Sequence, residues 1–415
     1  MNRLFRLTIC IAVLGGVAVM SLFTCSTCAQ NAEVSGESTV PQRSESTPDS
    51  ETPTLRDFDP QPMLQVPRTQ LERAKFPVVD VHTHFGRRLQ GDRGQLMDYV
   101  NLMDANNIAI SISFDAKLGD EDEHLKFISP SNQVGPQRIV AFVHLDFIGK
   151  GNPRDPRTWA VNEPDFVHQT VEQLKIAQNK GILGLKFFKS FGLTDRWADG
   201  RLLQIDDPHW DPIWKTCGEL GLPIIMHVAD PAAFFEAVDR HNERWEELSR
   251  HPDWNFSDPK YPRREELLAA RNRVIARHPH TTFIGAHVAN NSEDLATVGH
   301  WLDQYPNLIV EIASRINELG RQPYTARRFF IKYQDRILFG TDGPWPAQRL
   351  HYYWRFLETY DEYFPYSEKT PPPQGQWRIY GIGLPDEVLQ KIYFQNACRV
   401  IPGLQSSFDH ARVAN

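Results

Sequence analysis

Short apolar runs recur along this chain, separated by longer stretches in which apolar and charged residues alternate with helical spacing. Eight such runs are legible: Val78 to His82, Ala109 to Phe114, Ile139 to Leu145, Gly184 to Phe188, Leu222 to His227, Thr282 to His287, Leu308 to Ile312 and Ile337 to Gly340. Each is too short for a buried helix and rich in β-branched or aromatic residues, so each reads as a strand. A helix is predicted from Gln95 to about Ala105, and another through Val171 to Gln178. Strands alternating with helices signal parallel pairing. Eight of them over the folded part predict an α/β (β/α)8 TIM barrel. Two connections are longer than such a barrel needs. Asp230 to about Glu266, after strand five, carries Phe234, Phe235, Trp245 and Trp254. Arg349 to about Gly383, after strand eight, carries ten aromatic residues, among them Tyr352, Tyr353 and Tyr366. Both follow strands, on the face where barrel enzymes place their sites, and are expected either to cap a pocket or to pack as ordinary aromatic helices.

The N-terminal pattern differs. Arg3 and Arg6 precede an apolar run from Leu7 to Phe23, and Thr27-Cys28-Ala29 offers small residues before Gln30. We read residues 1–29 as a signal peptide in preference to a retained membrane anchor, because the run is marginal in length for a span. A lipid-anchored form through Cys25 or Cys28 lacks the pattern that should precede it. Residues 30–70 are rich in Ser, Thr, Glu and Pro and hold too few large apolar residues to offset the entropy of ordering, so a disordered tether is expected. Residues 71–415 form the barrel domain. The expected location is therefore periplasmic or extracellular, with no stable membrane span after cleavage. Cleavage would leave only Cys217 and Cys398, either bridged or as buried free thiols.

Composition adds exclusions. The chain has 415 residues, 41% hydrophobic and 23% charged, with a net charge of −7. That acidity and the lack of a basic block exclude a general nucleic-acid binder, and a small molecule is the expected partner.

Chemistry enters with the strand ends. His82 and His84, two apart on a strand, share one face and make half of a metal site, although such a pair arises by chance. His227 closes the fifth strand, His287 the sixth, and Asp342 follows the eighth. Barrel closure would bring all five to one rim, a conjunction that chance does not readily supply. His144, Asp146, Asp230, Glu311 and Arg315 also lie near strand ends and read more simply as structural, although Arg315 could fork onto a substrate carboxylate.

These pieces, Asp-Val-His-Thr-His-Phe-Gly, Gly-Leu-Lys-Phe, Ile-Met-His, Gly-Ala-His, Leu-Phe-Gly-Thr-Asp-Gly-Pro and Gln395-Asn396-Ala397, resemble the amidohydrolase superfamily over Asp80 to Ala397. The resemblance is to the amidohydrolase-related (amidohydrolase 2) branch that includes aminocarboxymuconate semialdehyde decarboxylase. It implies His82, His84, His227 and Asp342 as ligands of one divalent ion, with His287 and Asp342 handling protons. Zinc suits the mixed nitrogen and oxygen set best, with manganese and iron as alternatives. Lys186 on strand four would bridge a second metal in two-metal relatives, but in this branch a substrate-binding or solvent-reaching role is expected instead. Relatives commonly form dimers, which leaves a homodimer open. Three functions follow: a metal-dependent hydrolase of an ester, lactone, amide or similar bond; a non-oxidative decarboxylase (carboxy-lyase) of an unsaturated or aromatic acid; or a barrel that binds metal without turnover. Export tilts the choice to hydrolysis, because decarboxylase substrates are mostly cytoplasmic catabolites. The third is disfavoured because every metal and proton-transfer position is filled.

Overall fold

The structure, a computed structural model, describes residues 54, 57, 58, 60–132 and 137–413. The expected signal peptide lies outside them, as does most of the expected tether. The chain divides at Met63/Leu64 into two units. In the second unit, residues 64–71 hold no helix or strand, and Thr69 donates from its backbone and hydroxyl to Asp361 at 2.6 and 2.7 Å.

Eight parallel strands follow in sequence order: β1 (Val78–Thr83), β2 (Ile108–Lys117), β3 (Ile139–His144), β4 (Leu185–Phe187), β5 (Ile224–Met226), β6 (Phe283–Gly285), β7 (Leu308–Glu311) and β8 (Ile337–Leu338). Each coincides with an expected run. Between them lie helices including Arg93–Ala105 and Phe166–Asn179. The last strand returns to the first through Val81 N–H to the Phe339 carbonyl (3.0 Å), Asp342 N–H to the His82 carbonyl (2.9 Å) and His84 N–H to the Gly343 carbonyl (2.7 Å). Eight strands in this order form the barrel expected of the pattern.

Two layers of apolar side chains explain the runs. Ile224, Met226, Phe283, Leu308, Val310 and Ile337 face the helices, whereas Ile225, Ile284, Ile309 and Leu338 fill the lumen with Val79, Val81, Phe114 and Phe142. A strand buried on both faces must be apolar throughout, so the runs are continuous and not alternating. The C-terminal helix Leu404–Val413 sends Leu404, Phe408 and Ala411 into the luminal cluster. Its Ser407 bonds Gln137, two residues before β3 (3.1 Å), so the helix closes the end where the strands begin. The opposite end is left for chemistry.

At that end the two long connections meet. Arg244 pairs with Glu247 at 2.7 Å and with Glu318 beyond β7. Gln376 of the second connection bonds Glu246 of the first. Arg321 joins Glu243 at 2.8 Å and lies 4.2 Å from the Trp377 ring centroid. The connections thus interlock above the strand ends, while Tyr353, Trp354 and Phe356 are buried as packing residues. The packing expectation holds for these three residues. Cys217 and Cys398 are buried free thiols. Among the described residues no helix is long and apolar enough to cross a membrane.

Candidate metal centre and active site

Strict alternation from inward-facing Val79 and Val81 would turn His82 away from the lumen. A register irregularity between Asp80 and Thr83 re-aims the strand end. The His82 ring then stands 4.8 Å from Phe114, 5.4 Å from His84 and 4.9 Å from His287, centroid to centroid. Buried Asp80 fixes this corner by accepting from Thr341 N–H (3.0 Å), Thr341 Oγ1 (2.5 Å) and His82 N–H (3.2 Å). Burial lifts its pKa to about 7 against these bonds. The residue before Asp342 is therefore tied to the residue two before His82.

Each histidine of the pair is oriented from behind. His82 Nδ1 lies 3.0 Å from Glu311 Oε1, and His84 Nδ1 lies 3.0 Å from Asp115 Oδ1. Those contacts place the Nδ1 protons on the carboxylate side and leave both Nε2 atoms as lone-pair donors. The two Nε2 atoms face Asp342 Oδ1 at 3.7 and 3.5 Å. Ligands about 2.1 Å from a tetrahedral ion stand about 3.4 Å from each other, so this trio fits one divalent cation. Burial pushes the Asp342 pKa up, but His82, His84, Arg88 and Lys186 outweigh it and hold the carboxyl below its usual range. Burial, aided by Lys186, holds His82 well below the ordinary histidine value. An ionised Asp342 beside a neutral His82 is the protonation state a metal requires.

His287 sits on an unusual turn. His287, Val288, Ala289 and Asn290 all have φ between 52° and 58°, a left-handed turn that costs roughly 1–2 kcal/mol per non-glycine residue. Its polar groups are clamped. Glu311 Oε1 accepts from His287 N–H (2.7 Å), and the Ala313 carbonyl lies 2.8 Å from His287 Nδ1. Buried Arg271 donates to the Ala289 carbonyl (2.6 Å), and Arg264 donates to the Asn290 carbonyl (2.6 Å). With Nδ1–H given to a carbonyl, the Nε2 of His287 is the basic nitrogen.

His227 stands beside this group, its ring 4.6 Å from that of His287. It lies outside the two compact donor sets among the described residues, His82–His84–Asp342 and His82–His287–Glu311. Its Nε2 is 3.3 Å from Asp230 Oδ1, and the other Asp230 oxygen pairs with Lys189. Burial lowers His227 to about 4, against the pull of Asp230. Lys186 occupies the luminal layer, in register with Ile225. It is 1% exposed, and its Nζ has no hydrogen-bond partner among the described residues. The ammonium lies 4.9 and 5.6 Å from the Phe114 and Phe188 ring centroids, and burial lowers it to about 8. Arg315 is buried and gives Nη1 to the Ser314 carbonyl at 2.8 Å. His144 bonds the Phe114 carbonyl (3.1 Å) and Asp146 pairs with Lys117 (2.5 Å), both structural contacts.

A family model described as amidohydrolase matches residues 79–403. The chain belongs to the amidohydrolase family. Solved structures similar to this amidohydrolase include 2,6-dihydroxybenzoate decarboxylase from Rhizobium, at 17% identity over 78% of this chain and 98% of that one, TM-score 0.47. A second is a putative amidohydrolase from Staphylococcus aureus, at 14% identity over 79% and 99%, TM-score 0.47. A third is an uncharacterised TIM-barrel protein from Bordetella bronchiseptica, at 13% identity over 80% and 99%, TM-score 0.43. Comparison with curated proteins finds no match.

Sequence reasoning missed several residues here. Asp115 lies one residue past the expected end of β2, and a carboxylate at a strand end is the signal already used for His227. Arg88 donates to the Asp342 carbonyl (2.8 Å), and Ser314 Oγ bonds Asp342 Oδ2 (3.1 Å). Neither carried a sequence signal. Arg264 and Arg271, on the helix Arg264–Arg277, look like surface charges until the left-handed turn is seen.

Proposed function

We propose that this amidohydrolase is an exported, metal-dependent hydrolase that adds water to an ester, lactone, amide or similar bond of a small molecule. The observation that carries the reading is the pair of imidazoles anchored by Glu311 and Asp115, with both Nε2 atoms turned to the ionised Asp342. His82, His84 and Asp342 would hold a divalent ion, most simply zinc, with His227 alongside. Such an ion, when bound, polarises a carbonyl and acidifies water. Asp342 is then placed to accept a proton from the attacking water. His287, buried and held neutral by its surroundings, presents Nε2 to take a proton or return it to the leaving group. Export rests on the charged and then apolar N-terminus.

Non-oxidative decarboxylation is a second reading with the same residues. The cations Lys186 and Arg88 around Asp342 favour it, because they suit an acidic substrate. The test is a turnover panel of esters, lactones and aromatic acids, with carbon dioxide followed in parallel. Turnover of an ester or lactone that disappears with a chelator and returns with zinc is expected. Carbon dioxide from an acid with no turnover of any ester or lactone would overturn hydrolysis, and a folded, active, metal-free protein would overturn the metal site.

A further inference from the structure

Asp342 is the least buried of the proposed ligands. Its side chain is 27% exposed, against 1% for His82, 6% for His84 and 17% for His227. Packing therefore does little to aim its carboxylate. Its backbone is also held at φ 63°, in the left-handed region, which a non-glycine residue keeps only where its surroundings impose it.

The two peptide planes that flank Asp342 set its φ and ψ, and both are tied down. In the plane before it, Asp342 N–H bonds the His82 carbonyl, and the Thr341 carbonyl accepts from Trp345 Nε1 (2.8 Å) and Tyr353 Oη (3.3 Å). In the plane after it, Gly343 N–H bonds Thr341 Oγ1 (3.1 Å), and the Asp342 carbonyl accepts from Arg88 Nη2 (2.8 Å). The donors on the two carbonyls are themselves joined. The Arg88 guanidinium lies 3.9 Å from the Trp345 ring centroid. A ring of contacts thus closes, from Thr341 to Trp345, to Arg88, to Asp342 and back along the chain.

The chemistry suits that task. A cation on an indole face is attracted without using a hydrogen bond, so Arg88 keeps its Nη2 for the carbonyl. Arg88 comes from the helix Phe85–Leu89, directly after the His82–His84 pair. Arg349, on the helix Ala347–Glu358, lies 3.4 Å from the same indole centroid and holds the ring from a second element.

We propose that Trp345 and Arg88 are the positioning pair of the metal centre. The indole ties the carbonyl before Asp342 and the guanidinium on its face ties the carbonyl after it. Together they hold the carboxylate at the distance from the two imidazoles that one divalent ion needs. Neither residue is a ligand. The proposal rests on the assignment of His82, His84 and Asp342 as ligands, and it adds what sets their spacing. It also makes the segment after β8 a determinant of metal affinity.

Trp345 is the residue to change, because it is uncharged. Removing Arg88 would also remove a cation 4.0 Å from Asp342 Oδ1, which by itself favours a metal ion and masks the loss of placement. Full-length wild type, Trp345→Leu, Trp345→Phe and Asp342→Asn are compared in three measurements. These are zinc competition against a chromophoric chelator, visible absorption of the cobalt(II)-loaded protein, and urea unfolding of the metal-free protein. Trp345→Leu is expected to lose about 10-fold in zinc affinity, the low end for a residue behind a ligand. Its cobalt bands should shift, because they report coordination geometry. Trp345→Phe keeps a ring under Arg88 and loses only the indole N–H, so its affinity should fall between. Zinc affinity within about threefold of wild type in folded Trp345→Leu would overturn the proposal. So would lower affinity with wild-type cobalt bands and a matching loss of metal-free stability, which would mark a structural residue only. Trp345→Phe decides by the same criteria should Trp345→Leu not fold. Wild type that binds no zinc, or Asp342→Asn that binds it equally well, would overturn the metal reading and this proposal with it. Binding that needs Asp342 but not Trp345 would overturn this proposal alone.

Discussion

Glu311 is the residue on which the candidate metal centre most depends, although it contacts no reacting atom. It is fully buried and accepts three hydrogen bonds: His82 Nδ1 (3.0 Å), His287 N–H (2.7 Å) and Ala313 N–H (2.5 Å). It therefore orients a proposed ligand and the base-bearing turn together. In Glu311→Gln one oxygen becomes an amide NH2. Either the Ala313 N–H or the His82 and His287 donors must then face another donor, whichever way the amide turns. A buried donor left unpaired costs about 1–3 kcal/mol. Some of that is offset, because burial already lifts the Glu311 pKa above the ordinary value and the amide carries no charge to desolvate. The expected net loss of stability is about 1–2 kcal/mol. The effect on the metal should be larger in relative terms, since loss of a carboxylate behind a ligating histidine weakens affinity about 10- to 100-fold. Zinc affinity measured by competition with a chromophoric chelator, beside urea unfolding of the same samples, gives both numbers. A folded Glu311→Gln protein with zinc affinity within threefold of wild type would refute the reasoning, because His82 would then need no partner at Nδ1.

Other outcomes follow from the same geometry. Asp115→Asn acts on His84 and on the Arg87 N–H that the same carboxylate accepts (2.9 Å), so zinc affinity should again fall about 10- to 100-fold, and an unchanged value would remove Asp115 from the site. Arg271→Leu removes the clamp on the Ala289 carbonyl; kcat should drop by up to about 100-fold through misplacement of His287, while bound metal per chain stays constant. A drop in unfolding temperature with kcat intact would make Arg271 a structural residue only. Lys186→Met should leave one metal per chain by elemental analysis, and a fall from two to one would instead reveal a bridging lysine. Burial raises both thiols, Cys398 to about 12. Thiol labelling at pH 8, read peptide by peptide, should therefore reach Cys217 and Cys398 only after unfolding. Rapid labelling of either in the folded protein would contradict their burial.

Much of this protein could be read from its sequence, for a definite physical reason. Parallel strands buried on both faces must be apolar throughout, so the eight runs stand out against amphipathic helices and give the barrel and its order. Strand ends follow from the runs, and His227, His287 and Asp342 follow from the strand ends. The connections after β5 and β8 were visible by length and aromatic content. The sequence could not show how side chains at separate strand ends turn toward one another. The bulge that brings His82 to the mouth and the four-residue left-handed turn under His287 are decided by contacts far apart in the chain. Glu311 joins residues 229 and 24 positions away, and Arg271 reaches a carbonyl 18 residues on. Position alone also left open which charges are spent on neighbours. Arg315 bonds Ser314, whereas Arg88 bonds a carbonyl 254 residues away. Periodicity and strand ends depend on local spacing and so survive in one dimension. Pairing and clamping depend on closure of the barrel, and only the tertiary structure decides them.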